Sequence, residues 1–98
     1  MLADMKTNIE ASRMLTWKSA AEADAGVKNT ESAAHAKRFA SDAAMQIATD
    51  AVQVYGGYGY SEEYPVARLM RAAKVMQIYE GSSQVQRMII GREITKNL

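Results

Sequence analysis

Residues 30–57 read TESAAHAKRFASDAAMQIATDAVQVYGG, and the reading of this run decides the fold. Ala36, Ala40, Ala43, Ile47, Ala51 and Val54 recur three or four positions apart, the spacing of one face of an α-helix. Most of that stripe is small, so a neighbouring helix can approach closely. The helix is predicted to start near Thr30 or Glu31 and to reach Tyr55. Gly56 and Gly57 then stop it, because glycine tolerates the positive φ that a terminating turn requires.

The same periodicity extends outward in both directions. Upstream, Leu2, Met5 and Ile9, followed by Met14, Leu15 and Trp17 on an adjoining face, predict a helix from about Leu2 to Ala25, closed at Gly26. Downstream, Tyr58-Gly59-Tyr60 reads as a connector. Ser61-Glu62-Glu63 reads as a helix start, a hydroxyl cap followed by two carboxylates at the positive helix end, and Pro65 suits the first turn. That helix is expected to run to about Gln77 with Val66, Leu69, Met70 and Ala73 inward. Gly81 breaks it, and Ser82 or Ser83 caps a last helix, Ser83 with Gln86 matching a Ser-x-x-Gln capping box. Val85, Met88, Ile89 and Arg92 share one face of that helix, which is expected to fray near Asn97. Short linkers between helices make antiparallel neighbours. The fold predicted is all-α, an up-and-down helical bundle occupying residues 1–98 as one domain.

Composition narrows the chemistry. The chain is 98 residues long, enough for a small core and for one domain at most. Its 12 basic and 11 acidic residues leave no field to draw in nucleic acid or an acidic membrane. The absence of cysteine removes disulfides, thiolate catalysis and zinc–sulfur sites. No apolar run approaches the ~20 residues of a membrane span. No metal site is expected, and a cytoplasmic location is the default, with the mitochondrial matrix the alternative in a eukaryote. His35 stands alone and reads as a helix-surface residue. Trp17, Phe39 and the methionines read as core or interface. Arg68, Arg71 and Lys74 read as one solvated face.

The chemically distinctive stretch is Ile78-Tyr79-Glu80-Gly81-Ser82-Ser83-Gln84-Val85-Gln86-Arg87. It sets a lone carboxylate beside an aromatic ring, at a glycine break between two helices. By residue type alone, Glu80 reads as a solvated helix-end carboxylate. Gln53 to Gly57 reads as an ordinary glycine C-cap. Ser82, Ser83 and Gln84 head a helix, where free N–H groups and hydroxyls suit capping and ligand polar atoms alike.

Four ordered motifs carry a family resemblance over nearly the whole chain. They are Leu2-Ala3-Asp4-Met5; Ala48 to Tyr60 (ATDAVQVYGGYGY); Tyr64-Pro65-Val66 through Leu69-Met70-Arg71 and Lys74; and the Glu80 stretch. The chain resembles the acyl-CoA dehydrogenases, FAD-dependent enzymes that desaturate acyl-CoA thioesters at the α,β position. Ala72 stands where the family usually has Asp, and Ser82 where Thr is commoner. The resemblance implies that Glu80 is the catalytic base, taking the α-proton while the β-hydrogen leaves as hydride to the flavin. A carboxylate beside a ring in a closed pocket loses hydration and becomes a stronger base. Tyr79 and Gly81 are then expected against the substrate. Gln53, Val54, Tyr55, Gly56 and Gly57 are expected on the dinucleotide part of FAD bound by a neighbouring subunit, with Ser82, Ser83 and Gln84 also on the flavin.

The resemblance further implies a homo-oligomer that passes electrons to a separate acceptor. Family members carry an N-terminal helical domain and a middle β-domain before a four-helix bundle. On that resemblance this chain is expected to begin partway through the bundle's second helix, with the first helix missing. It is expected to be inactive alone, with Glu80 exposed, its flavin site incomplete and apolar stripes left open for self-association. Two other readings remain at this point: a non-catalytic helical interaction or oligomerisation module, and an acyl-CoA oxidase-like relative.

Overall fold

The computed structural model describes residues 1–96. Five helices follow in order: α1 (Leu2–Asp24), α2 (Thr30–Tyr55), α3 (Gly57–Tyr60), α4 (Pro65–Met76) and α5 (Ser83–Lys96). The described residues are all-helical, as the periodicity predicts, and the expected fraying near Asn97 lies outside them. The molecule is elongated, 50 × 22 × 21 Å. Helix α2 is its axis: α1, α4 and α5 each pack on α2, and the short α3 bridges α2 and α4.

The turn between α1 and α2 forms as the sequence directs. Gly26 takes φ 71°. Its N–H donates to the Ala23 carbonyl at 3.1 Å, and the Val27 N–H donates to the Glu22 carbonyl at 2.9 Å. These two bonds satisfy carbonyls left open at the end of α1. Asn29 then ties the helices together, its amide donating to the Ser19 carbonyl at 3.1 Å.

Two expectations about helix boundaries are corrected. Tyr58-Gly59-Tyr60 is not a bare connector but most of α3. Gly59 is buried there because a Cβ would lie 2.4 Å from the Val52 carbonyl oxygen and 2.8 Å from Tyr55 Cβ. Next, α4 does not start at Ser61-Glu62-Glu63. Its N-cap is Tyr64, extended at φ −110°, ψ 144°, with no side-chain cap. A residue before proline is pushed out of the α region, so Pro65 fixes the start. Ser61 Oγ instead accepts from the Glu63 N–H at 3.3 Å, and Glu62 pairs with Arg71 at 2.8 Å.

Helix α5 turns a polar face to the bundle. Its buried residues are Ser83, Gln86 and Glu93, while Val85 and Met88 face outward, Met88 being 74% exposed. The cause is an anchor at its first turn, where Ser83 and Arg87 bond to Asp42 of α2. That anchor turns the polar face toward α2 and leaves the apolar face free.

The core is thin. Among the described residues its buried apolar members are Met5, Ala34, Ala36, Ala43, Val66, Ala67 and Ala73, and no large side chain is fully buried. Leu69, expected inward, is exposed, as is Trp17, which has the Arg13 guanidinium 6.0 Å from its ring. His35 is half-buried beside Glu31. The predicted stripe on α2 is buried in its first half, at Ala36 and Ala43. Its second half, Ile47 and Ala51, lies in an open apolar trough of about 410 Å³ with Ile9, Val66, Leu69 and Met76 on its walls. No described helix is long and apolar enough to cross a membrane, and no group of His, Cys, Asp or Glu among the described residues is arranged to hold a metal ion.

Candidate functional site

The turn from α4 to α5 carries the Glu80 stretch. Helix α4 unwinds after Met76, with the Ile78 and Tyr79 N–H groups both donating to the Val75 carbonyl at 3.0 Å. Glu80 then adopts φ 51°, the one non-glycine residue at positive φ among the described residues, and Gly81 follows at φ 94°. Left-handed backbone costs a non-glycine residue about 1–2 kcal/mol. Two such residues in succession reverse the chain, so that the Ser83 N–H reaches back to the Gln77 carbonyl at 3.1 Å. Glu80 stands exposed at the apex, as does Tyr79.

Gly81 is required twice over. Its φ is one that L side chains rarely adopt, and a Cβ would lie 2.4 Å from Gln86 Nε2. That amide belongs where it is, since it donates to the Gly81 carbonyl at 3.4 Å. Gln86 therefore braces the turn rather than completing a capping box with Ser83. Ser82 is the residue before α5, and its Oγ accepts from the Val85 N–H at 3.3 Å.

Ser82, Ser83 and Gln84 come together in a polar pocket of about 340 Å³, with Asp42, Gln77 and Arg87 also on its walls. Their roles differ. Ser83 is buried, and its hydroxyl donates to Asp42 Oδ1 at 2.7 Å. Gln84 is exposed and Ser82 half-buried, so these two face outward from the helix start.

Asp42 is the hub beneath the turn. Besides Ser83 it accepts from Gln77 Nε2 at 2.9 Å and pairs with Arg87 at 2.9 Å. Burial pushes its carboxyl toward neutrality. The hydrogen bonds from Ser83 and Gln77, with the positive charges of Arg87 and Arg38, outweigh that and hold it below the ordinary carboxylate range. One and a half turns earlier on α2, Lys37 Nζ donates to the Met76 carbonyl and, at 3.4 Å, to the Gly81 carbonyl. The same ammonium lies 5.6 Å from the centre of the Tyr79 ring. Sequence reading gave neither residue a part. Each is a single polar position on a helix whose periodic signal is apolar, and their partners are 35–45 positions away.

The second group of expected residues lies elsewhere. Gln53, Val54, Tyr55, Gly56 and Gly57 are all exposed at the far end of α2. From Asp42 to Gln53 is eleven residues, or about 16 Å along the axis. Gly56 turns the chain at φ 65°, ψ −141°. Gly57 needs no glycine for internal reasons: its φ is not positive and a Cβ would meet nothing within 4 Å. What it offers is bare, approachable backbone. Tyr64 packs beside this turn, its ring 6.1 Å from that of Tyr55 and 5.7 Å from that of Tyr58.

Residues 1–95 match the family described as "Acyl-CoA dehydrogenase, C-terminal domain". The chain is 56% identical over 96 residues to cyclohexane-1-carbonyl-CoA dehydrogenase of Geobacter metallireducens, covering 98% of this chain and 25% of that protein. The structure of butyryl-CoA dehydrogenase from Megasphaera elsdenii superposes with a TM-score of 0.93 at 57% identity, over 96% of this chain and 24% of that one. A chain in a structure described as an electron transferring flavoprotein of Acidaminococcus fermentans superposes with a TM-score of 0.94 at 52% identity, over 96% of this chain and 25% of that one. The chain thus spans about a quarter of the length of the relatives it matches.

Proposed function

This chain belongs to the acyl-CoA dehydrogenase family through its C-terminal domain, and from that premise we propose that it is the part of an FAD-dependent acyl-CoA dehydrogenase that supplies the catalytic base, Glu80. The observation that carries this reading is the apex geometry. Glu80 is held in a left-handed conformation between two helices, exposed, with its neighbour Gly81 bare of side chain. Backbone strain of this kind persists where the surrounding structure imposes it, and it concentrates at functional sites. An exposed carboxylate at such an apex is free to meet a substrate and abstract the α-proton of its thioester. Tyr79 and Gly81 flank it and would line the same substrate.

The residues assigned to the cofactor fit a dinucleotide by chemistry. Gly56 and Gly57 present open backbone at a helix end, and Ser82 and Gln84 present polar groups at a helix start. Ser83 contributes by seating the first turn of α5 on Asp42. A bound FAD would accept the β-hydrogen as hydride. By the family's pattern, Gln53 to Gly57 are assigned to a flavin bound by a neighbouring subunit, hence a homo-oligomer. Electron transfer to a separate flavoprotein is the matching role for a partner. The relatives named for their activity are dehydrogenases, which favours that chemistry over an oxidase.

The chain alone is proposed to be inactive. The apolar trough along α2 is open to a further helix, and in the complete protein a second wall would close over Glu80 and dry it. The test is made in the complete protein. Glu80→Gln should abolish α-proton exchange of a bound acyl-CoA while flavin remains bound; undiminished exchange would refute the base assignment.

A further inference from the structure

Glu80 cannot hold its own position. Its side chain makes no hydrogen bond among the described residues, and its neighbours Ile78 and Tyr79 are 62% and 50% exposed, so packing does not fix the turn. Yet the backbone there is kept in a conformation that L residues disfavour. Something must supply the restraint.

Two side chains of α2 do so, and each ties the chain on both sides of Glu80. Lys37 holds the Met76 carbonyl before the apex and the Gly81 carbonyl after it. Asp42 holds the Gln77 amide before the apex and the Ser83 hydroxyl after it. They are separated by about 7.5 Å along α2, so they form two separate crosspieces under one turn. Ser41, one helical turn after Lys37, accepts from the same ammonium at 3.2 Å and aims it at the turn. Arg87 closes the second crosspiece from α5.

We infer that Lys37 and Asp42 are the positioning residues of the Glu80 turn, fixing where the carboxylate meets the thioester through backbone and hydroxyl contacts rather than by touching the substrate. This rests on the reading of Glu80 as the base. Its energetic sense follows from the sensitivity of proton abstraction to placement, where an error of about 1 Å costs on the order of a hundredfold in rate.

The experiment uses the complete flavin-loaded enzyme with Lys37→Met, Lys37→Arg and Asp42→Asn. Two readouts are taken: amide hydrogen exchange of residues 77–83 without substrate, and kcat per bound flavin alongside KM for an acyl-CoA. In Lys37→Met and Asp42→Asn, exchange across 77–83 should quicken by about tenfold or more, with other helices unchanged. In Lys37→Met, kcat should fall about tenfold to a hundredfold with KM nearly constant. Lys37→Arg, which keeps a cation and its donors, should recover part of the loss. Adding Lys37→Met to Glu80→Gln should cost little further, because both changes act on one step. A purely structural role would lower yield and melting temperature but leave kcat per bound flavin intact, and that result would overturn the inference. So would unaltered exchange at 77–83 in both Lys37→Met and Asp42→Asn. Failure of the base reading is seen separately, as retained α-proton exchange in Glu80→Gln alone.

Discussion

Replacing Asp42 with Asn tests whether the hub beneath the turn works through its charge. Asparagine keeps the shape and one acceptor oxygen, so Ser83 and Gln77 retain a partner. What is lost is the charge on the acceptor. A hydrogen bond to a charged group contributes about 1.5–3 kcal/mol against about 1 kcal/mol for a neutral one. Two such bonds are part-buried here, at 2.7 and 2.9 Å. The Arg87 pair adds less than about 1 kcal/mol, since that side chain is 48% exposed. Desolvation of the carboxylate opposes these gains, leaving a net effect of about 1–2 kcal/mol. The pH dependence carries the sharper test. The folded-state pKa of Asp42 is depressed, so its contribution is present above the unfolded pKa and lost as pH falls through the folded one. Urea unfolding of the chain, followed by circular dichroism, should therefore show Asp42→Asn less stable by about 1–2 kcal/mol at pH 7. The gap should close below about pH 4. A difference that stays constant from pH 7 to pH 3 would refute the electrostatic argument.

Two further predictions concern the glycine turn and the trough. Gly59→Ala should destabilise the chain by about 1–3 kcal/mol, because the added Cβ meets backbone at Val52. Gly57→Ala should leave the melting temperature of the chain nearly unchanged; equal losses in both variants would contradict the packing described for α3. The isolated chain should self-associate at micromolar concentrations through the trough over Ile47 and Leu69, and Leu69→Glu should weaken that association. Sedimentation of the unmodified chain as a monodisperse monomer would count against it.

Much of the helical order was legible in advance because its determinants are local. The α2 stripe, the Gly26 closure and the placement of Pro65 in a first turn need only near neighbours in sequence, and the structure bears them out. The start of α4 was misread because two competing local signals lie four residues apart, and the steric demand of Pro65 on Tyr64 outweighs the Ser61 cap. For α5 the shared apolar face is legible in the sequence, but the direction it faces is not. Its apolar periodicity marks a surface that these residues leave uncovered, while the face packed on α2 is polar.

From sequence alone came the all-helical character, the breaks, and the place of Glu80 in a break between two helices, just before a glycine. Only the folded arrangement decided that Glu80 is left-handed, that Ser83 turns inward, and that Lys37 and Asp42 lie beneath the turn. Helix periodicity and end signals act over one or two turns of chain, whereas these bonds join positions 35–45 residues apart. A lysine and an aspartate on a long helix give no local sign of which carbonyl or hydroxyl they will meet; that is settled when α4 and α5 dock on α2.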